Sequence, residues 1–308
     1  MIVSNVKITK DFKEICKILI RSCVIFCFLL VTSADLFGQR LAVIGPGQEA
    51  ENGKYAIILS EGLRSVGFRV VDDGAALSAF GATEIRTPFN LTSSEAVQIG
   101  AAIGCDYFLL IKAETQRRSS FQKSTYYEAT AAVFIVSSRT GYLVKWLLLA
   151  KQADTPKDAY EQLILATPGY ITDVKAMITD AYERELKNSS APVTTSAKIE
   201  ELNDADQPDK SLRPPIPYKR IRPDYTPQAY LFSVTATVDA EVDIDADGKI
   251  LRLDIVRWAG YGLDESVTEA IRSMNWRPAE RNGKTLPMRV LLRYNFKKIE
   301  KDNDEDSP

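Results

Sequence analysis

The sequence predicts an α+β chain in three parts: an amino-terminal α/β domain with a mixed sheet over 39–187, a flexible linker over 188–224, and a carboxy-terminal ββαβ domain over 225–298. Three observations carry this expectation. Short apolar runs alternate with segments of helical period through the first part. A stretch rich in Ser, Thr, Pro and charge, including Pro214-Pro215 and Pro217, then shows no apolar periodicity. Beyond Tyr225 strict two-residue alternation sets in, broken by a single helical pattern.

Residues 1–38 read as a leader. The apolar run from Ser22 to Val31 is about 15 Å long as a helix, against a hydrocarbon core of about 30 Å. Arg21 and Asp35 bound it, Lys7, Lys10, Lys13 and Lys17 make the preceding region basic, and small residues follow at Thr32, Ser33, Ala34 and Gly38. This layout is that of a secretory signal peptide cut after Ala34 or Gly38; an uncleaved membrane anchor is the alternative. Three of the four cysteines, Cys16, Cys23 and Cys27, lie in this leader, which leaves Cys105 without an internal disulfide partner. The formal net charge of -2 and pI near 5.6 give no reason to expect nucleic acid as a partner.

In the first domain Leu41-Ala42-Val43-Ile44 is a short buried strand. Tyr55, Ile58, Leu59, Leu63 and Val66 fall at helical spacing, with Gly67 as the stop. Phe68 to Val71 forms the second strand. Thr92 with Glu95 is a capping box opening a helix through Ala96, Ile99 and Ile103, which Gly104 closes. Cys105 to Ala113 reads as a buried strand with Cys105 as a small core residue. Tyr126 to Val136 and Tyr142 to Ala150 form a long hairpin around Ser138-Arg139-Thr140-Gly141. Two helices follow, around Tyr160, Leu163 and Ile164 and around Ile171, Val174, Ile178 and Ala181, separated near Thr167-Pro168-Gly169.

The linker would span roughly 125 Å fully extended and about 35 Å as a coil, so it is expected to tether the domains without fixing them. In the carboxy-terminal domain Ala236, Val238, Ala240, Val242 and Ile244 alternate with polar residues. Asp247-Gly248 supplies a tight turn, and Leu251, Leu253 and Ile255 return. Leu263, Val267, Ala270, Ile271 and Met274 define a helix, with Asp264 and Glu265 in its first turn, and Pro278 stops it. Met288, Val290, Leu292, Tyr294 and Phe296 alternate as the last strand. An acidic tail, 299–308, reads as a solvated end.

These residues resemble the TonB carboxy-terminal domain family over about 70 positions. The likeness rests on Tyr225, Pro227 and Ala229 ahead of the first strand, Val242 through Gly248 at the hairpin, and Gly260 through Leu263-Asp264 at the helix start. Trp276-Arg277-Pro278-Ala279, Asn282-Gly283 and Pro287 complete it. The resemblance implies a domain that engages an extended peptide, such as a segment of an outer-membrane receptor, by adding a strand at a sheet edge; a homodimer through that domain is the alternative partner. The expected pairing edge is the backbone of Arg289, Val290, Leu291, Leu292, Arg293, Tyr294 and Asn295, with Tyr225 and Pro227 nearby. Energy-transducing members carry a long membrane helix with a histidine and a long Pro-Lys and Pro-Glu linker. This chain has no histidine; with the leader cleaved the resemblance implies a periplasmic protein, and an energy transducer in transmembrane transport is the alternative if the leader stays as an inner-membrane anchor. The amino-terminal order, with Gly104-Cys105-Asp106-Tyr107-Phe108-Leu109, more loosely resembles the amino-terminal domain of TolB and periplasmic domains of curli-secretion and penicillin-binding-protein activator lipoproteins. That resemblance implies a scaffold docking a second partner.

No catalytic set, cofactor or metal is expected. Gly47 with Gly53-Lys54 departs from a phosphate loop by one residue, and Tyr55 stands where a magnesium-binding hydroxyl belongs. Asp243, Asp245, Asp247 and Asp254 match a calcium-loop template, but strands flank them where helices are required. Without histidine, Ser or Cys hydrolysis on a histidine base is excluded. Trp276 is expected in the core, and Trp258 is either a loop-exposed binding anchor or a packing residue.

Overall fold

The computed structural model describes residues 38–47, 49–190, 199–201 and 211–298. The expected leader, apart from Gly38, and the acidic tail lie outside the described residues. Among the described residues no helix is long and apolar enough to cross a membrane.

The amino-terminal half begins with β1 (Arg40–Ile44), α1 (Ala50–Ser65), β2 (Arg69–Val70), α2 (Asp73–Gly81) and α3 (Ser93–Ile103). It continues through β3 (Tyr107–Arg118), β4 (Tyr126–Ser137), β5 (Leu143–Ala153) and α4 (Pro156–Ser190). The strands form a mixed sheet ordered β2-β1-β3-β4-β5, parallel from β2 to β3 and antiparallel thereafter. Alternate residues feed opposite cores. Leu109, Ile111, Val133 and Ile135 pack with Leu59 and Leu63 of α1 and Ile171 and Val174 of α4, while Phe108, Leu110, Phe134 and Val136 face Ala76, Phe80 and Ile99 of α2 and α3. Both faces are covered, which is why these strands read as unbroken apolar runs. The expected capping box on α3 is present, and Gly104 caps it in the left-handed region.

Two local expectations are corrected. The break near Pro168 is absent: α4 is one helix, because Leu163, Thr167, Ile171, Val174 and Ile178 make a single buried stripe, and its packing outweighs the roughly 3 kcal/mol cost of an internal proline. Helix α2 had no sequence signal. Gly74 and Gly81 lower its propensity, and it is held by the Asp72 cap on the Ala75 N–H and by buried Ala76 and Phe80.

Beyond α4 come β6 (Glu200–Glu201), β7 (Leu212–Arg213), β8 (Ile216–Pro217), α5 (Pro227–Leu231), β9 (Ala236–Ile244) and β10 (Ile250–Arg257). They are followed by α6 (Leu263–Arg272), β11 (Trp276–Arg277), β12 (Ala279–Arg281), β13 (Lys284–Leu286) and β14 (Met288–Phe296). The ββαβ core is as expected, with sheet order β10-β9-β14-β6. In the β9–β10 turn only Gly248 takes a positive φ, +84°, where a Cβ would meet the Trp276 carbonyl oxygen at 2.2 Å. The linker is corrected at both ends. Residues 188–190 continue α4, and β7 and β8 pair with β12 and β11, so 211–224 is built into the carboxy-terminal domain. Residues 191–198 and 202–210 lie outside the described residues.

The expected freedom between the domains is also corrected, because the two halves share one hydrophobic core. Trp258 is 0% exposed and Tyr261 is buried; the Tyr261 ring lies 4.9 Å from Trp146 and 5.8 Å from Phe134. Asn90 is the polar counterpart, donating to the carbonyls of Thr237 (2.7 Å) and Trp258 (2.8 Å) and accepting from the Thr237 N–H (3.0 Å). The Trp258 N–H reaches the Leu91 carbonyl at 3.1 Å. Trp258 is therefore a packing residue, while Trp276 is buried as expected.

Candidate functional site

The expected pairing edge is β14, whose inner side is bonded to β9 from Met288↔Ile244 to Phe296↔Ala236 without a bulge. The Glu200 N–H donates to the Pro287 carbonyl at 3.4 Å, which fixes that carbonyl on the outer side. Successive residues of a strand point their main-chain groups to opposite sides, so the N–H and C=O of Leu291, Arg293 and Asn295 face outward. Among the described residues no strand pairs with them. Arg289 does not share this state. The short parallel strand β6 pairs Glu200 with Met288 and Glu201 with Arg289, so the near end of the edge is occupied from within the same chain.

Side chains of β14 divide by face. Val290, Leu292, Tyr294 and Phe296 join the core with Val267 and Ile271 of α6. On the other face Arg289 donates twice to buried Asp243 (2.6 and 3.0 Å) and once to Glu201 (2.6 Å). Arg293 donates twice to Asp239 (2.7 and 3.0 Å), which also receives Arg257 at 3.2 Å. Hydrogen bonding to Asp243 raises the Arg289 pKa above its ordinary value, and bonding to Asp239 does so for Arg293. Leu291, by contrast, is 56% exposed. Two aspartates of the calcium-loop template are committed elsewhere: Asp243 to Arg289, and Asp245 to the N–H groups of Asp247 (2.9 Å) and Lys249 (2.8 Å). Gly53 lies inside α1, and the neighbouring Asn52 donates to the Pro46 carbonyl (2.9 Å) and accepts the Ala113 N–H (2.6 Å).

The far end of the edge opens into a hollow of about 420 Å³ whose lining includes Tyr225, Tyr230, Tyr294, Asn295, Arg222 and Lys297. The structure thus brings Tyr225 together with Tyr294 and Asn295. The Tyr225 ring stacks on Phe296 at 6.4 Å, and its hydroxyl lies 3.0 and 2.8 Å from the carbonyls of Ala229 and Val234. Burial raises the pKa of Tyr225; it also raises that of Tyr294, against an opposing pull from Arg220. Pro227 does not line the hollow. It occupies the first turn of α5 behind the Thr226 cap, where its missing N–H costs nothing. Sequence reading missed Tyr230, Arg222 and Lys297, although the cationic groups Lys219-Arg220 and Lys297-Lys298 on either side of the domain were visible.

Residues 221–297 match the family model described as Gram-negative bacterial TonB protein C-terminal. No curated protein matches the chain. Among solved structures, the Pseudomonas aeruginosa TonB carboxy-terminal domain is similar at 21% identity and TM-score 0.26, covering 35% of this chain and 100% of that one. Lipoprotein GNA1162 from Neisseria meningitidis is similar at 14% identity and TM-score 0.30, covering 49% and 99%. The LpoB carboxy-terminal domain from Salmonella enterica is similar at 17% identity and TM-score 0.26, covering 38% and 84%.

Proposed function

We propose that this chain is a non-enzymatic periplasmic protein of a Gram-negative cell envelope, whose carboxy-terminal domain binds an extended protein segment by strand addition along Leu291 to Asn295. The observation that carries this reading is the row of outward main-chain N–H and C=O groups at Leu291, Arg293 and Asn295, without a strand partner among the described residues. The family match over 221–297 supports the same class of function. The amino-terminal sheet takes the role of a scaffold: its second face holds the binding domain in one orientation through Trp258, Tyr261 and Asn90. A docking site for a second partner then belongs to other surfaces of that half.

Replacing Leu291 with Pro tests the reading. Proline removes the outward N–H of an edge strand and leaves the bonds to β9 in place, so the fold should persist. Binding of a fluorescent nonapeptide of alternating Thr and Val to the full chain, read by anisotropy, should fall at least tenfold, with an unchanged far-ultraviolet circular dichroism spectrum. Undiminished binding sinks the proposal. Sedimentation velocity on the same samples separates the alternative, because a second copy pairing through this edge would give a dimer that Leu291→Pro dissociates.

A further inference from the structure

We propose that the hollow at the far end of β14 selects segments carrying an aromatic side chain flanked by carboxylates. This inference rests on the strand-addition reading and names the chemistry of the strand that is added. The hollow adjoins the open edge: a strand paired from Leu291 to Asn295 covers about 17 Å and then runs into it. Its walls are aromatic, from Tyr225, Tyr230 and Tyr294, and its volume of about 420 Å³ is enough for one ring with its neighbours. The walls are also fixed in advance. Tyr225 is held by Phe296 and by two carbonyls, and the Ser266 hydroxyl clamps the main chain of Asp224, accepting its N–H at 2.7 Å and donating to its carbonyl at 3.0 Å. Less ordering is then required on binding.

Charge gives the sign of the partner. Arg222 and Lys297 line the hollow, Lys298 sits 4.4 Å from the centroid of the Tyr230 ring, and the charge of Arg220 acts on the Tyr294 hydroxyl. Asp224 is the acidic residue in the lining. Among the described residues Arg220, Arg222 and Lys297 make no ion pair, whereas Arg289 and Arg293 on the same strand are neutralised by Asp243 and Asp239. A neutral strand would fill the hollow and leave these cations without counter-charge, and a basic strand would be repelled. Carboxylates on either side of the inserted ring would meet them at the rim.

The test uses the full chain and labelled Thr/Val nonapeptides carrying Asp-Phe-Asp, Lys-Phe-Lys or no insert at one end or the other. The Asp-Phe-Asp peptide should bind about tenfold tighter than the uninserted one in 50 mM salt, with the advantage shrinking to about twofold at 0.5 M. Because an antiparallel strand would place its amino end at the hollow, the end at which the insert acts also reports the direction of addition. The double variant Arg222→Glu, Lys297→Glu alters two exposed side chains and should reverse the preference toward Lys-Phe-Lys. If the uninserted peptide binds and is lost with Leu291→Pro, yet acidic and basic inserts bind alike, this inference fails while strand addition stands. Loss of binding by every peptide overturns both. A preference that appears only after truncation following Lys298 would assign the hollow to the chain's own acidic tail and overturn the proposal.

Discussion

The indole N–H of Trp258 donates to the carbonyl of Gly141 at 3.2 Å, joining the carboxy-terminal domain to the hairpin end of the amino-terminal sheet across 117 positions of chain. The ring packs 5.8 Å from Phe134, and the main chain beside it is bonded to Leu91 and Asn90. A single residue thus spans the core that both halves share. Trp258→Ala should cost roughly 3–5 kcal/mol. Urea unfolding of the wild-type chain should be one cooperative transition, and the variant should split it into two, resolved by comparing tryptophan fluorescence with far-ultraviolet circular dichroism. Coincident transitions in the variant would show that the halves stay coupled without the indole.

Gly260 tests the same joint from its backbone. Its φ is +69°, and a Cβ there would lie 2.5 Å from Cε1 of Phe134. Gly260→Ala therefore combines a strained conformation with an overlap against a ring of the other half. The expected loss is about 2–4 kcal/mol, read by urea titration. The matched substitution Gly283→Ala, also at positive φ but with no atom within 4 Å, should cost only about 1 kcal/mol.

How much of this was legible in the sequence follows from the range of the forces involved. The β9–β10 hairpin, the α3 capping box and the alternation of β14 are set by residues a few positions apart, and each is where the pattern put it. Strands β7 and β8 are two residues long, too short to show any period, and they form because β12 and β11 offer them partners. Helix α4 runs through Pro168 because its buried stripe continues on both sides. The burial of Trp258 depends on Phe134, more than a hundred positions away, so the sequence left it open between a loop-exposed anchor and a packing residue. At the site, the alternation that makes β14 a strand was legible in the sequence. The hollow was not, because Arg222 and Lys297 meet there only after the sheet closes.

Asp264 sets the pH dependence of the joint. Its buried carboxylate accepts the N–H of Ala259 at 2.9 Å and of Gly260 at 2.7 Å, holding the loop that carries Trp258. Burial pushes its pKa from 3.8 up to about 7, with the two N–H bonds pulling the other way. A folded-state value above the unfolded one means that the folded chain holds the extra proton between about pH 4 and 7. The stability this proton contributes is complete below about pH 4 and is lost as pH rises through 7, at about 1.4 kcal/mol per pH unit. Asp264→Asn removes the titration, so its stability relative to the wild type should improve steadily from pH 5 to 7 and level off above 8. Urea titrations across that range check this. A difference that does not change with pH would mean the N–H pair keeps the carboxylate ionised throughout.

The pair Arg289 and Asp243 should respond unequally to truncation from its two ends. Asp243 is buried and Arg289 is its bidentate partner, so Arg289→Ala strands a carboxylate away from water and should cost about 3 kcal/mol. Asp243→Ala leaves the guanidinium with Glu201 at 2.6 Å and a route to solvent, and should cost about 1 kcal/mol. The same asymmetry reaches the edge. Glu201 is tied to Arg289, and Glu200 to Arg281 at 2.8 Å, which holds β6 over the start of β14. Arg289→Ala should therefore speed amide hydrogen exchange at Glu200 and Glu201 by about an order of magnitude relative to Asp243→Ala. Equal unfolding costs and equal exchange in the two variants would show that Glu201 contributes nothing to Arg289 and that β6 is held by its backbone bonds alone.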